Sequence, residues 1–426
     1  MNVLLISTYE LGHQPINVAN PAGELRANGH DVRCLDLGIE EWDSAVLDGI
    51  DRVAISVPMH TAMRLAQELL PQIEVPVATY GLYGETFRGE FLASLVEWVG
   101  GSITGALPAR DLLPPLDRYA KLAIRDEQRL AGAVEAGRGC ISRCKHCPVP
   151  AVYDGRTKIV AVDDVVADVA QLVALGAQHI TFADPDFLSG PHHARRVVDA
   201  VHGAFPGLTF DVTTKVELAL KHADVWPTFA AAGCLFVTSA IECVDDDVLR
   251  ILDKGHTAAD AAAAVELLRS HGIEPRPSLL PFTPWTTRES FVALTDFVAD
   301  HDLAGSIDPV HWSIRLLLPP GSLLLDVPEI QEHLTGYDAE LLGTQWAAAD
   351  PDMDDLQRQI ATLVEAGGDF ADVRGLVSGE PTAPWTTGRP HLTETWFCCA
   401  EPTSVQRSRF GTGDPLEGLV EPAELA

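Results

Sequence analysis

Cys140, Cys144 and Cys147 stand at C-x3-C-x2-C within Arg138-Gly139-Cys140-Ile141-Ser142-Arg143-Cys144-Lys145-His146-Cys147-Pro148, just after a short strand-like stretch at 133–136. A loop of that length can wrap three thiolates around one cubane. A [4Fe-4S] cluster has four irons, so three protein ligands leave one iron open to a substrate or cofactor. The competing reading is a structural zinc site completed by His146 or a remote cysteine, since zinc accepts Cys3His sets. Zinc knots usually pair two short spacings in a small module, whereas this triplet opens a long series of strands and helices, and its location favours the cluster. A second thiol pair lies in Thr395-Trp396-Phe397-Cys398-Cys399-Ala400-Glu401-Pro402. Adjacent thiols strain to close on each other, but they can grip a thiophilic metal or metalloid, accept a radical or supply a hydrogen atom. The alternative for them is a buried apolar pair beside Trp396 and Phe397. Cys34, Cys234 and Cys243 fall in strand-like settings, where burial is expected.

The elements that must position these thiols follow from periodicity and breakers. Strand-like runs at 2–7, 32–36, 52–57 and 76–80 alternate with helix-like runs at 16–28, 61–70 and 85–99, and Gly81-Leu82-Tyr83-Gly84 makes a turn. This alternation predicts a doubly wound, Rossmann-like parallel sheet over 1–112, with ligands beyond the strand carboxyl ends. Pro114-Pro115 stops regular structure, and a linker is placed at 113–130. Strands at 133–136, 179–183, 209–213, 235–240, 274–280 and 310–318 then alternate with helices at 162–175, 192–204, 216–232, 258–270 and 288–300. Six such units over 131–330 predict a partial (β/α)6 barrel of the TIM type, with its chemistry at the strand carboxyl ends. Residues 331–426 read as a mostly irregular or helical extension ending in a polar, acidic tail.

Composition limits the partners. With 30 Lys+Arg against 61 Asp+Glu the formal charge is −31, which opposes a phosphate backbone and argues against a nucleic-acid substrate. No apolar run approaches the ~20 residues that span a bilayer. The start, Met1-Asn2-Val3-Leu4-Leu5-Ile6, lacks the basic region and cleavage site of a signal peptide, so the cytoplasm is the expected location.

Residues 135–326 resemble the radical S-adenosylmethionine superfamily, whose members carry C-x3-C-x2-C in the loop after the first barrel strand. The resemblance implies a [4Fe-4S] cluster on Cys140, Cys144 and Cys147 whose fourth iron is chelated by S-adenosylmethionine, and one-electron cleavage of the sulfonium to a 5′-deoxyadenosyl radical. It also implies cofactor contacts from Asp184 in Ala183-Asp184-Pro185-Asp186, from Lys215 at the end of the third strand, and from Ser239 and Glu242 in Ser239-Ala240-Ile241-Glu242. His146 stands where the superfamily usually has an aromatic ring over adenine, and Ala183-Asp184-Pro185 replaces the usual Gly-Gly-Glu. An imidazole can still stack and hydrogen-bond. Residues 2–36, with Ser56 and Gly81 to Gly84, resemble the cobalamin-binding domain that precedes many such barrels. Glu10-Leu11-Gly12-His13 lacks the D-x-H-x-x-G frame, so a bound cobalamin and a domain that merely packs on the barrel both stand open. The Cys398-Cys399 segment resembles a small group named for its CCAEP tail, in which selenocysteine sometimes replaces the second cysteine, and this implies a catalytic role for the pair. The implied activity is reductive cleavage of S-adenosylmethionine to transform a small-molecule or peptide substrate, with electrons from a donor such as a flavodoxin or ferredoxin. The alternatives are a cobalamin-dependent methyltransferase on the same scaffold and a non-catalytic metal- or cobalamin-binding sensor.

Overall fold

Four short apolar runs build the first layer of the computed structural model, which describes residues 1–88, 91–379 and 388–394. Strands β1 (Asn2–Ser7), β2 (Asp31–Asp36), β3 (Arg52–Ser56) and β4 (Val77–Tyr80) pair in parallel in the order β2-β1-β3-β4. Successive side chains point to opposite faces, so Val3 and Leu5 pack under α1 (Ile16–Ala27) and α3 (Phe91–Val99). Leu4 and Ile6 pack under α2 (His60–Leu69). Burial of both faces explains the apolar continuity of β1.

The second layer begins earlier than its sequence suggests. Residues expected in a linker form β5 (Lys121–Ile124) and the first half of β6 (Glu127–Val134), an antiparallel pair toward one edge of the barrel sheet. A short frame of β7 (Gly137–Gly139), α4 (Pro148–Tyr153) and β8 (Thr157–Ile159) encloses the cysteine loop. There follow α5 (Val162–Ala174), β9 (His179–Phe182), α6 (Pro191–Ala204), β10 (Thr209–Thr214), α7 (Val216–Lys221), α8 (Trp226–Ala231), β11 (Cys234–Glu242), α9 (Asp246–Ile251), α10 (Ala258–Ser270), β12 (Glu274–Leu279) and α11 (Arg288–Asp300). The sheet order is β12-β11-β10-β9-β6-β5-β15, with β6 and β9 to β12 parallel and β15 (His391–Leu392) antiparallel on β5. This curled half-barrel has its main core between the strands and α5, α6 and α8, around Ile180, Phe210 and Trp226.

Three expectations change in detail. The single helix expected at 216–232 is split into α7 and α8, because Pro227 lacks an amide hydrogen and is accommodated only at a helix start. The sixth strand, expected at 310–318, is a 3-10 helix at Pro309–Ser313, followed by a single bridge from Arg315 to Phe282. Pro309 stands in the first turn of that helix and Pro319-Pro320 end the segment, while the Leu316 N–H still donates to the Phe282 carbonyl at 2.8 Å. The extension is more regular than expected. It holds the hairpin β13 (Leu334–Asp338) and β14 (Gly343–Trp346), then α12 (Pro351–Glu365) and α13 (Phe370–Ser378), which brings Phe370 to 4.9 Å from Trp312, ring centroid to centroid.

A guanidinium joins the layers. Arg110, 2% exposed, donates from Nε and Nη2 to Asp168 of α5 at 3.0 and 2.7 Å. It also donates to the Ala133 carbonyl of β6 at 2.7 Å and to Gln14 Oε1, ahead of α1, at 3.4 Å.

Candidate active site

The loop after β6 is folded by its own backbone. β7 pairs with β8, so residues 140–156 leave and return at one point. Gly139 makes the turn at φ +79°, where a Cβ would lie 2.4 Å from the Arg156 carbonyl oxygen, so only glycine fits. Cys140 and Cys144 are buried, and Cys147 starts α4 with its N–H on the Cys144 carbonyl at 3.2 Å. Cys140 Sγ accepts from the Ser142 N–H at 3.4 Å and from Ser189 Oγ at 3.6 Å. Burial pushes its thiol up. Among the described residues no three His, Cys, Asp or Glu converge as they would on a single metal ion. A cubane sets its thiolates farther apart than one ion does, and three cysteines in one loop, two of them buried, suit that donor set.

Two charged side chains back this loop. β11 shifts register between Ala240 and Glu242, and Glu242 takes φ +66°, which turns its carboxylate toward the loop. Glu242 Oε1 accepts from Lys254 Nζ at 2.7 Å and lies 3.1 Å from His146 Nε2. Burial alone pushes this carboxyl up, but Lys254 and His146 outweigh burial and hold it well below the usual carboxylate range. His146, itself a residue of the loop, is held by Glu242 through Nε2, and its Nδ1 is buried with no partner among the described residues. Lys254 was not singled out from sequence; its signal was a lysine ending the apolar run Val248-Leu249-Arg250-Ile251-Leu252.

A cavity of about 340 Å³ opens where the layers meet. Its walls come from four places: Cys147 and Pro148 of the cysteine loop; Asp184, Asp211, Thr238 and Arg276 of the half-barrel; Glu10, His13, Met59 and Tyr83 of the first layer; and Leu392 and Glu394 after β15. Of the charged groups in the half-barrel wall, Asp211 pairs with His179 at 2.9 Å and Arg276 with Asp308 at 3.2 Å. Asp184 accepts the Ala136 and Gly137 amides, yet burial pushes its carboxyl up to about 8. Burial likewise pushes Glu10 and Glu394 up to about 8 and the His13 imidazole down to about 4. At neutral pH this end of the cavity is therefore lined by carboxylic acids and a neutral imidazole.

The other expected site residues lie around these groups. Ser239 is buried in β11 with its Oγ unpartnered among the described residues. Lys215 stays behind the cavity wall: its amide donates to Asp186 at 3.0 Å and its Nζ to Glu217 at 3.2 Å. Ser56, Gly81 and Gly84 do not line the cavity, whereas their neighbours Pro58, Met59, Leu82 and Tyr83 do. Gly84 is instead required by its own turn, since a Cβ there would lie 2.6 Å from Tyr80 Cα. Cys34 and Cys243 have thiols pushed up to about 12 by burial, and burial also raises the Cys234 thiol. Cys398 and Cys399 lie outside the described residues. No helix among the described residues is long and apolar enough to cross a membrane.

A cysteine loop after the first parallel strand of a half-barrel, facing a cavity at the strand ends, defines a class. Residues 134–298 match the Radical SAM superfamily. Superfamily members use a [4Fe-4S] cluster with S-adenosylmethionine. Among curated relatives, the chain is 22% identical over 254 residues to the tRNA-2-methylthio-N(6)-dimethylallyladenosine synthase of Pseudoalteromonas atlantica, a match covering 57% of this chain and 52% of that one. It is 22% identical over 336 residues to the hopanoid C-3 methylase of Methylococcus capsulatus, covering 65% and 62%. The chain thus spans between half and two thirds of these relatives' length. Its fold is similar to the cobalamin-dependent S-adenosylmethionine radical enzyme OxsB with aqua-cobalamin bound, at TM-score 0.67 and 12% identity, covering 86% of this chain and 67% of that one. It is also similar to the radical S-adenosylmethionine methyltransferase TsrM of Kitasatospora setae with cobalamin and a [4Fe-4S] cluster bound, at TM-score 0.57 and 19% identity, covering 78% and 74%.

Proposed function

We propose that this chain cleaves S-adenosylmethionine reductively on a [4Fe-4S] cluster held by Cys140, Cys144 and Cys147, and transforms a small molecule or peptide seated in the 340 Å³ cavity. The observation that carries this reading is the convergence of the cysteine loop, the strand ends, the first-layer loops and the segment after β15 on that one cavity. The cavity lies within the ~300–1,000 Å³ that holds small ligands. When bound, the cluster supplies one electron to the sulfonium and so a 5′-deoxyadenosyl radical. The chain's own residues hold, shield and orient. Asp184 offers a carboxyl on the cavity wall for the cofactor's amino group, Glu242 holds His146 of the loop, and Phe182 and Phe236 keep the inner wall apolar. Electrons come from a low-potential donor such as a flavodoxin or ferredoxin.

Cys398 and Cys399 are proposed to act on the substrate. Glu394 is fixed on the cavity wall by Tyr9 at 3.0 Å, and Cys398 follows four residues later, a reach of at most about 14 Å for an extended chain. Reconstituted without oxygen, the full chain is expected to show a [4Fe-4S] signal that changes with S-adenosylmethionine, and to release 5′-deoxyadenosine on reduction. Zinc, or no metal, at Cys140, Cys144 and Cys147 ends the proposal. Full substrate turnover in Cys399→Ala removes the tail thiol from it.

A second reading, cobalamin-dependent methyl transfer, is favoured by the likeness in fold to OxsB and TsrM. The cavity wall made by the loops after β1, β3 and β4 is the surface a corrin would meet. Against it, Tyr9 and Met59 of those loops already pack with Leu280 and Leu316 in one apolar cluster, which closes part of the seam. A corrin absorption band retained through purification selects this second reading.

A further inference from the structure

We propose that Lys254 is a positioning charge for the cysteine loop: its buried ammonium, held by Glu242 behind Cys144 and Cys147, raises the reduction potential of the cluster bound there. The proposal rests on reading the three cysteines as cluster ligands. The placement of Lys254 is built by its neighbours. Asp253 at φ +57° and Gly255 at φ +72° both take the left-handed conformation, which turns Lys254 inward to 2% exposure. Any Cβ at Gly255 would lie 2.5 Å from Glu217 Oε2. The approach to this turn clasps the loop, the Lys145 N–H donating to the Leu252 carbonyl at 2.9 Å, and from elsewhere the Leu324 N–H donates to the Lys145 carbonyl at 3.1 Å. Cys144 and Cys147 lie within electrostatic reach of the ammonium.

Lys254 does not line the cavity, so it works from behind the loop and not by gripping a ligand there. Reduction transfers one electron from the donor to the cluster, the donor is oxidised by one, and no proton or bond is required. The cluster becomes more negative by one charge, and a buried cation beside it stabilises that state. Glu242 has the opposite sign and tempers the effect. Removing either partner must therefore move the potential in opposite directions, which damage to the loop does not do.

The test is an EPR-monitored redox titration of the full chain, reconstituted anaerobically and measured without S-adenosylmethionine, after iron and sulfide analysis. Lys254→Met is expected to disfavour reduction about tenfold, a fall of about 59 mV for one electron, and Glu242→Gln to raise the potential. If wild type takes up no iron, the cluster reading falls and this inference falls with it. Iron-loaded variants with unchanged potentials, or with shifts of one sign, overturn this inference alone. So does an unchanged potential in Lys254→Met with weakened S-adenosylmethionine binding, which makes the ammonium a cofactor ligand. Should Lys254→Met fail to load iron, Glu242→Gln decides, because it keeps the ammonium: an unchanged or lowered potential refutes the role.

Discussion

Glu242 and Glu10 are carboxyls removed from bulk water on opposite sides of the same site, and they are held in opposite states. Glu242 has a lysine at 2.7 Å and a histidine at 3.1 Å, and stays ionised. Glu10 has Asn17, whose backbone N–H and Nδ2 donate at 3.2 and 3.0 Å, and no cation pairs with it among the described residues. Its value rises to about 8, with Glu135 and Asp36 adding to the effect of burial. The cluster-loop side is thus electrostatically complete, while the first-layer side carries carboxyls whose charge is suppressed. Desolvation is common to both, and the presence of a compensating cation decides the outcome.

The largest effect should come from breaking the complete side. Lys254→Met leaves Glu242 buried without its main partner and should destabilise the fold by about 3 kcal/mol in urea unfolding. The double variant with Glu242→Gln should recover part of that loss, and no recovery means the pair does not behave as a unit. A smaller, pH-dependent effect is expected on the other side. A carboxyl raised from 4.5 to about 8 by folding contributes stability that is full below pH 4.5 and is lost as the pH rises to about 8. Glu10→Gln should therefore flatten the fall in stability over that window by at most about 1.4 kcal/mol per pH unit. Asp184 and Glu394 retain their own share of the slope, and identical pH profiles for wild type and variant would remove Glu10 from this account. The smallest change is Ser189→Ala, which removes the hydroxyl near Cys140 Sγ and the acceptor of the Ile141 N–H, and should cost about 1 kcal/mol or less. Its sharper readout is slower alkylation of Cys140 in metal-free protein at fixed pH, since loss of the Ser189 donor lets that thiol rise further.

Much of the scaffold was legible because local pattern and tertiary role agree. The runs at 2–7 and 179–183 are apolar and bounded by breakers, and both are strands buried on two faces. The cysteine spacing is local and survives any error in topology. The strand expected at 310–318 was not resolvable, because its apolar residues are equally consistent with an irregular segment packed on α12, and only the tertiary setting decides between them. Lys254, Glu10 and Glu394 were missed for another reason. A charged residue beside an apolar run reads as solvated surface, and what makes these three matter is burial by segments far away in sequence. Asp184 and Glu242 were named from the resemblance, at the ends of strands. Lys215 was named the same way; its backbone N–H donates to Asp186 and its Nζ to Glu217.

The fourfold use of the Arg110 side chain constrains how the molecule can breathe. A single guanidinium is shared by the approach to α1, the first parallel strand and the helix beyond the cysteine loop, so a hinge between the halves would have to strip a cation of its partners in a dry interior. Gross parting of the two bodies is thereby discouraged. The turn around Tyr83 and the strip that carries Leu392 and Glu394 line the chamber without drawing on that guanidinium.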